Sequence, residues 1–205
     1  MNSKTAIYQL KTIQKLIRGK EMRLAACCWN KKWHTLIATI LSAVTRDEVT
    51  IPVCEELFKK YKSLEELSKA KQKTIEKIIK RVNFHKTKAK NIIKTSKLLK
   101  NKNIPETTEE LIQLPGVGRK VANVYLVEAH NLDKIGVDTH VKRISNKLGW
   151  TENHAPDKIE KDLEKLFPKK YWNQINETLV TFGKSYGTSR KREDEVLETI
   201  KNKKD

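Results

Sequence analysis

The stretch Leu114-Pro115-Gly116-Val117-Gly118-Arg119-Lys120, preceded by Thr107-Thr108-Glu109-Glu110-Leu111-Ile112-Gln113 and followed by Val121-Ala122-Asn123-Val124-Tyr125-Leu126, decides the fold. Thr107 to Gln113 makes a short helix, and Leu114-Pro115 stops it, because the residue before a proline is pushed out of the helical region. Gly116 and Gly118 allow a tight turn with close backbone approach. A second helix then starts near Arg119, with its first N–H groups pointing outward. Such a terminus holds a phosphate through hydrogen bonds and the positive end of the helix dipole, without reading sequence. Taken alone, a Gly-x-Gly between two helices serves equally well as a plain packing corner.

Lys120 falls in the first turn of that second helix, and eighteen positions later comes Asp138, in Val137-Asp138-Thr139-His140. A helix from 119 to 130 carries the chain ~18 Å away at 1.5 Å per residue, and residues 131 to 138, fully extended, return up to ~26 Å. Ile135 and Val137 suit a buried extended return, so Lys120 and Asp138 can meet. A nucleophilic lysine must be neutral, which requires a fall of roughly three units from ~10.4, about 4 kcal/mol. The helix terminus supplies only ~0.3 to 1 kcal/mol of this. Desolvation by bound substrate and repulsion from Arg119 must supply the rest. Without Asp138, Lys120 reads as a phosphate-binding surface lysine. Asp138 itself precedes Thr139-His140-Val141-Lys142-Arg143-Ile144, whose helical spacing runs to Leu148 and ends at Gly149, so its simplest role is an N-cap. A capping carboxylate is held rigidly and stays ionised, which is compatible with chemistry.

Helical periodicity extends almost throughout. Ala6, Ile7, Leu10, Ile13, Leu16 and Ile17 form one apolar stripe, and similar stripes recur at 33–43, 51–61, 74–82 and 89–99, with no sustained period of two. An all-α chain follows. Ser63-Leu64-Glu65-Glu66 and Thr107-Thr108-Glu109-Glu110 read as capping boxes, and Pro115, Pro156 and Pro168 fall at breaks or first turns.

The chain carries 43 lysines and arginines against 25 acidic residues, a net charge of +18 over 205 residues. An excess of that sign and size suits a polyanion partner, because neutralising phosphates releases condensed counterions. Roughly half of it falls in runs such as Lys69–Lys80 and Lys86–Lys102 and is assigned to solvated helix faces. No apolar stretch approaches the ~20 residues that span a bilayer. The start, MNSKTAIYQLKTIQKLIRGK, has no signal-peptide core, so the expectation is a soluble, intracellular protein without membrane contact; a monomer is expected as well. Cys27, Cys28 and Cys54 show no metal-ligand spacing and are expected as buried thiols. The five histidines lack zinc-site spacing, and no structural transition metal is expected.

The segments QLPGVGRKVANVYL and IGVDTHVKRISNKLGW resemble the helix-hairpin-helix and catalytic-aspartate segments of the endonuclease III family. The likeness continues through Ile40-Leu41-Ser42-Ala43-Val44-Thr45-Arg46-Asp47 and Asn83-Phe84-His85-Lys86-Thr87-Lys88-Ala89, and covers roughly residues 5 to 185. The resemblance implies a two-lobed all-α fold: a six-helix barrel with the hairpin over 22–132, and a second helical domain from 1–21 and 133–205. It implies a bifunctional DNA glycosylase and abasic-site lyase of base excision repair, acting on damaged double-stranded DNA in the cytoplasm or nucleoid, or in the nucleus if eukaryotic. Oxidised pyrimidines would be excised through a Schiff base on Lys120, with Asp138 as its partner, and the strand nicked by β-elimination.

DNA-binding residues carried over are Leu114, Gly116, Val117, Gly118 and Arg119 of the hairpin, whose carbonyls can also hold a monovalent cation. Two loops add Val44, Thr45 and Arg46, and Phe84, His85, Lys86 and Lys88. Phe84 occupies the family's wedge position, although a single Phe between helices is more often core. Val44 stands where the family commonly has a glutamine, so opposite-base preference and lesion specificity do not carry over from the resemblance. Many members also carry a cysteine-ligated iron–sulfur cluster, whereas residues 182–192 lead into a charged tail without cysteine, so no cluster is expected there. Glu193 to Lys204 is expected as a short helix docking through Val196, Leu197 and Ile200. Competing readings are an 8-oxoguanine glycosylase/lyase on the same scaffold, an adenine-mismatch glycosylase, which would lack the lysine nucleophile, and a non-catalytic helix-hairpin-helix DNA-binding module.

Overall fold

A computed structural model describes residues 1–20 and 22–202, and among these the chain is helical with no strand. It divides into two compact units, Arg23–Asn131 and Met1–Met22 with Leu132–Asp205. No described helix is long and apolar enough to cross a membrane.

After α1 (Ser3–Ile17), which belongs to the discontinuous unit, the continuous unit runs through α2 (Lys32–Ser42), α3 (Asp47–Lys60), α4 (Leu64–Ser68), α5 (Gln72–Ile78), α6 (His85–Leu99), α7 (Thr108–Leu111) and α8 (Arg119–His130). Leu36, Ile37, Ile40, Leu41, Leu57, Ile75, Ile92 and Tyr125 are buried together at its centre, each worth ~1.5–3 kcal/mol of burial. Ser63 starts α4 by accepting from the Glu66 N–H at 3.1 Å, but the Glu66 carboxylate answers on the Lys62 N–H at 2.8 Å, one residue earlier than a regular capping box. Thr107 accepts from the Glu110 N–H and donates its hydroxyl to the same glutamate, 2.6 Å away, so the second box closes on the side chain.

The discontinuous unit contains α1 (Ser3–Ile17), α9 (Thr139–Leu148), α10 (Pro156–Leu166), a 3-10 turn (Lys169–Tyr171), α11 (Trp172–Tyr186) and α12 (Arg190–Asn202). Leu10, Ile13, Ile144, Phe167, Leu179 and Phe182 form its core. The indole N–H of Trp150, just beyond α9, donates to Gln9 of α1 at 2.7 Å, so the N-terminal helix is fastened by a buried polar bond as well as by packing. Helix α12 begins at Arg190, three residues before the sequence expectation, and the last two residues expected in it, Lys203 and Lys204, lie outside the described ones. Leu197 and Ile200 are buried and Val196 packs beside them.

The cysteines depart from expectation. Cys54 is a buried thiol, but Cys27 is half-buried, Cys28 is exposed, and the two are bonded to one another as neighbours. Cys54 lies on the buried face of α3, whereas the pair sits in the turn after Leu24, beyond the buried Ala25 and Ala26.

Candidate functional site

The hairpin is built as its residues dictate. Leu114 and Val117 are buried in the core, the Val117 N–H donates to the Leu114 carbonyl at 3.0 Å, and Thr95 of α6 donates to the Pro115 carbonyl at 2.9 Å. Gly116 has φ +84°, and a Cβ there would meet Asn91 at 3.0 Å and Ile40 at 3.3 Å, so both backbone and neighbours require glycine. Gly118 is different from expectation: its φ is −92° and a Cβ would meet nothing within 4 Å. The chain's own packing does not need that glycine, and the room beside it faces solvent at the N-cap of α8. Arg119 is exposed and Lys120 half-buried in the first turn.

Asp138 caps α9, its Oδ1 accepting from the Val141 N–H at 2.8 Å. Gly149, at φ +74°, ends the same helix. The return from α8 buries Ile135 and Val137, and Asn176 of α11 donates to the Gly136 carbonyl at 2.5 Å, which fixes the approach to Asp138. His140, in the first turn of α9, lies against Gly183 of α11, where a Cβ would overlap the imidazole. Burial lowers the His140 pKa, opposed by Asp138 and assisted by Arg143. Arg143 and Lys147 both bind Glu193 of α12. A cleft of about 530 Å³ along this face is lined by Thr139, Lys142, Arg143, Asn146 and His154. Lys120 belongs to the continuous unit and Asp138 to the other.

The two loops carried over by resemblance are brought together. Val44 is 75% exposed and Phe84 68% exposed, and both have left-handed backbones, at φ 55° and 56°. Phe84 is therefore not core. Left-handed geometry is uncommon for a bulky residue and more costly for a β-branched one. Asn83 joins the loops by donating its side-chain amide to the Val44 carbonyl at 2.5 Å and its backbone N–H to Thr45 Oγ1 at 3.2 Å. Arg46 and Lys86 are exposed and His85 half-buried.

Lys88 corrects the sequence expectation of a DNA contact. It is 7% exposed, and its Nζ donates to the Leu41 carbonyl at 2.8 Å, to the Ala43 carbonyl, and to Thr45 Oγ1 at 3.2 Å. Burial pushes its pKa down to about 8, and the three oxygen acceptors around Nζ suit the ammonium form. Nothing local distinguishes this lysine from its neighbours in the 86–102 run. Its partners lie more than forty residues back in the chain, so periodicity alone had no signal for it.

The cysteines do not fit an iron–sulfur cluster. Ligation needs accessible thiolates, whereas burial pushes the Cys54 thiol far up, Cys27 and Cys28 are spent on each other, and residues 182–202 contain none. Among the described residues no group of three or more His, Cys, Asp or Glu side chains is arranged to hold a metal ion.

Comparison with known proteins agrees with this geometry. The model of the HhH-GPD superfamily of base excision DNA repair proteins matches residues 37–169. Endonuclease III of Thermotoga maritima is 41% identical over 155 residues, covering 74% of this chain and 73% of that protein. Endonuclease III of Synechocystis is 39% identical over 160 residues, covering 76% and 73%. The solved structure of a trapped endonuclease III–DNA covalent intermediate is similar at a TM-score of 0.84 and 29% identity, covering 93% of this chain and 90% of that one.

Proposed function

The chain belongs to the endonuclease III family of base excision repair DNA glycosylases, within the HhH-GPD superfamily, and from this we propose that it is bifunctional, excising oxidised pyrimidines and nicking the resulting abasic site. The observation that carries the reading is the hairpin: Lys120 stands half-buried in the first turn of α8, directly after the open N-cap at Gly118 and the exposed Arg119. A strand phosphate held at that N-terminus would bring a deoxyribose to the lysine. The existence of a covalent DNA intermediate for a relative supports the same chemistry.

In the proposed reaction the neutral Lys120 Nζ attacks C1′, the glycosidic bond breaks, and the base leaves with the bonding pair and takes up a proton. The sugar ring opens at C1′–O4′ to give a Schiff base. Loss of a C2′ proton then expels the 3′ phosphate with the C3′–O electron pair, and water releases the unsaturated aldehyde and regenerates the amine. Asp138 would stabilise the positive charge that develops on the sugar. As in the family, carbonyls of the hairpin would hold a monovalent cation, which would add positive charge beside the phosphate. We assign no iron–sulfur cluster to this chain, and a monomer acting on one duplex.

Borohydride trapping tests the reading. With thymine-glycol and abasic duplexes the native protein is expected to form a covalent adduct, and Lys120→Gln to lose it while still binding DNA. Trapping that persists in Lys120→Gln reassigns the nucleophile. Adduct formation with 8-oxoguanine duplex in place of thymine glycol would move the substrate to oxidised purines, and absence of any adduct would leave a binding module.

A further inference from the structure

Helix α2 ends in carbonyl groups with no basic residue of its own in the last turn, although the C-terminus of a helix attracts positive charge. Lys88, from the first turn of α6, supplies it. An ammonium has three donors, and here they meet the Leu41 and Ala43 carbonyls and Thr45 Oγ1. The residue that caps α6 is Phe84, and the residue that follows Ala43 is Val44. One buried amine therefore holds the base of both exposed tips, and Asn83 ties the tips themselves. Exposed bulky residues on left-handed backbone persist only where their surroundings over-determine them, and such strain collects at functional sites. Two apolar points on joined loops suit insertion between base steps, which an enzyme acting on an extruded base must achieve.

We propose that Lys88 is a positioning residue that locks Val44 and Phe84 into a single two-pronged wedge for separating bases; this rests on the reading of the chain as a base-extruding glycosylase. Without Lys88 the carbonyls at the end of α2 lose their partner and the 43–46 loop is released from α6. Each tip must then be ordered at the moment of insertion, at an entropic cost that a preformed wedge avoids. Lys120 and Asp138 stand outside this contact set, so the chemical step is left intact.

The test is unstacking of 2-aminopurine placed beside an abasic-site analogue in duplex DNA, read by fluorescence on binding, with excision assays alongside. Lys88→Met keeps the apolar stem, and folding is verified by melting before use. Its unstacking rate is expected to fall about tenfold or more, with duplex affinity changed by less than about threefold. Release of thymine glycol should fall in parallel with unstacking, and nicking of a preformed abasic duplex, which has no base to extrude, should change little. In a background lacking both prongs, Val44→Ala with Phe84→Ala, Lys88→Met should add almost nothing, because the wedge it positions is gone.

Normal unstacking by folded Lys88→Met overturns the proposal, as does equal loss in unstacking, affinity and abasic nicking, which marks a general structural role. If Lys88→Met does not fold, Asn83→Ala, which loosens the same junction near the surface, must show the selective loss. Its failure to do so also overturns it. Unstacking is measured without catalysis, so a native protein that unstacks but does not cleave refutes the glycosylase/lyase reading and leaves the wedge standing, whereas a native protein that does not unstack refutes the wedge itself.

Discussion

Glu193 on α12 grips Arg143 on α9 with both carboxylate oxygens, Nε to Oε1 at 2.9 Å and Nη2 to Oε2 at 2.6 Å, and Lys147 adds a contact to Oε1 at 2.9 Å. The carboxylate is buried, its residue 1% exposed. The helix capped by Asp138 is thus anchored from the last described helix of the chain. Removing one partner of a buried pair commonly costs ~3–5 kcal/mol. Arg143 and Lys147 keep about a third of their side chains in solvent and can rehydrate, so Glu193→Ala is expected at or below the lower end, about 2–3 kcal/mol by denaturant unfolding. A change under about 0.5 kcal/mol would reduce the contact to a surface pair.

The same carboxylate sets an acid limit. Burial by itself raises the Glu193 pKa, but hydrogen bonds from Arg143 and Lys147 outweigh it and hold the group below the ordinary value. A depressed folded pKa contributes stability that is complete above the unfolded value of ~4.3 and is lost as pH falls through the folded one. Native protein should therefore lose melting temperature faster than Glu193→Gln below about pH 4. Parallel curves would remove Glu193 from the acid response.

His34 acts in a separate window. Its ring stacks on Phe58 at 4.1 Å and meets Trp33 edge-on at 4.0 Å. Burial, then Lys31 and Lys62, push its pKa down to about 4. A histidine lowered in the fold stabilises as the neutral form: its contribution is whole above ~6.5 and declines as pH drops towards the folded value, below which both states are protonated. Allowing for partial exposure, about 2 kcal/mol is at stake. His34→Phe, which preserves the stack, should flatten the melting curve between pH 6.5 and 4.5 relative to native protein. An unchanged slope would assign the loss to other groups.

What was legible in the sequence was local. Asp138 as a cap, Gly149 as a stop and Pro115-Gly116 as a break each depend on neighbours within a few positions, and they stand as the spacing reads. The junctions between elements are not local. Lys88 reaches Leu41 and Arg143 reaches Glu193 across 47 and 50 residues, and each is one cation among 43 in the sequence. Val44 gave no sign of its turn, because a β-branched residue is among the last expected at positive φ. Gly118 misled in the other direction: the fold does not require it, so its lack of a side chain is intelligible only from what the open space can receive.

Asp138→Asn separates architecture from chemistry. Asparagine caps as well as aspartate, and the bond to the Val141 N–H at 2.8 Å needs only an acceptor oxygen. Stability should change by less than about 1 kcal/mol, while turnover on lesion duplex falls ~10²-fold or more if the carboxylate stabilises developing charge. Near-normal turnover in the folded variant would leave Asp138 the cap alone.

Iron content and the tail give the last prediction. The only free thiol among the described residues is Cys54 in the core, and the stretch from Phe182 to Asn202 anchors itself by Glu193, Leu197 and Ile200. Protein purified without added metal should accordingly be colourless and free of stoichiometric iron, and a chelator should leave its melting temperature unchanged. Stability of the discontinuous unit should instead follow apolar burial. Leu197 and Ile200 are each almost fully buried, so Leu197→Ala and Ile200→Ala should each cost about 2–4 kcal/mol, and truncation after Lys191 more than either. Thermal melting and iron analysis on the same preparations decide it. Unchanged melting in the truncated chain would show that α12 does not bear on stability, and one cluster's worth of iron in the pure protein would overturn the assignment of a cluster-free chain.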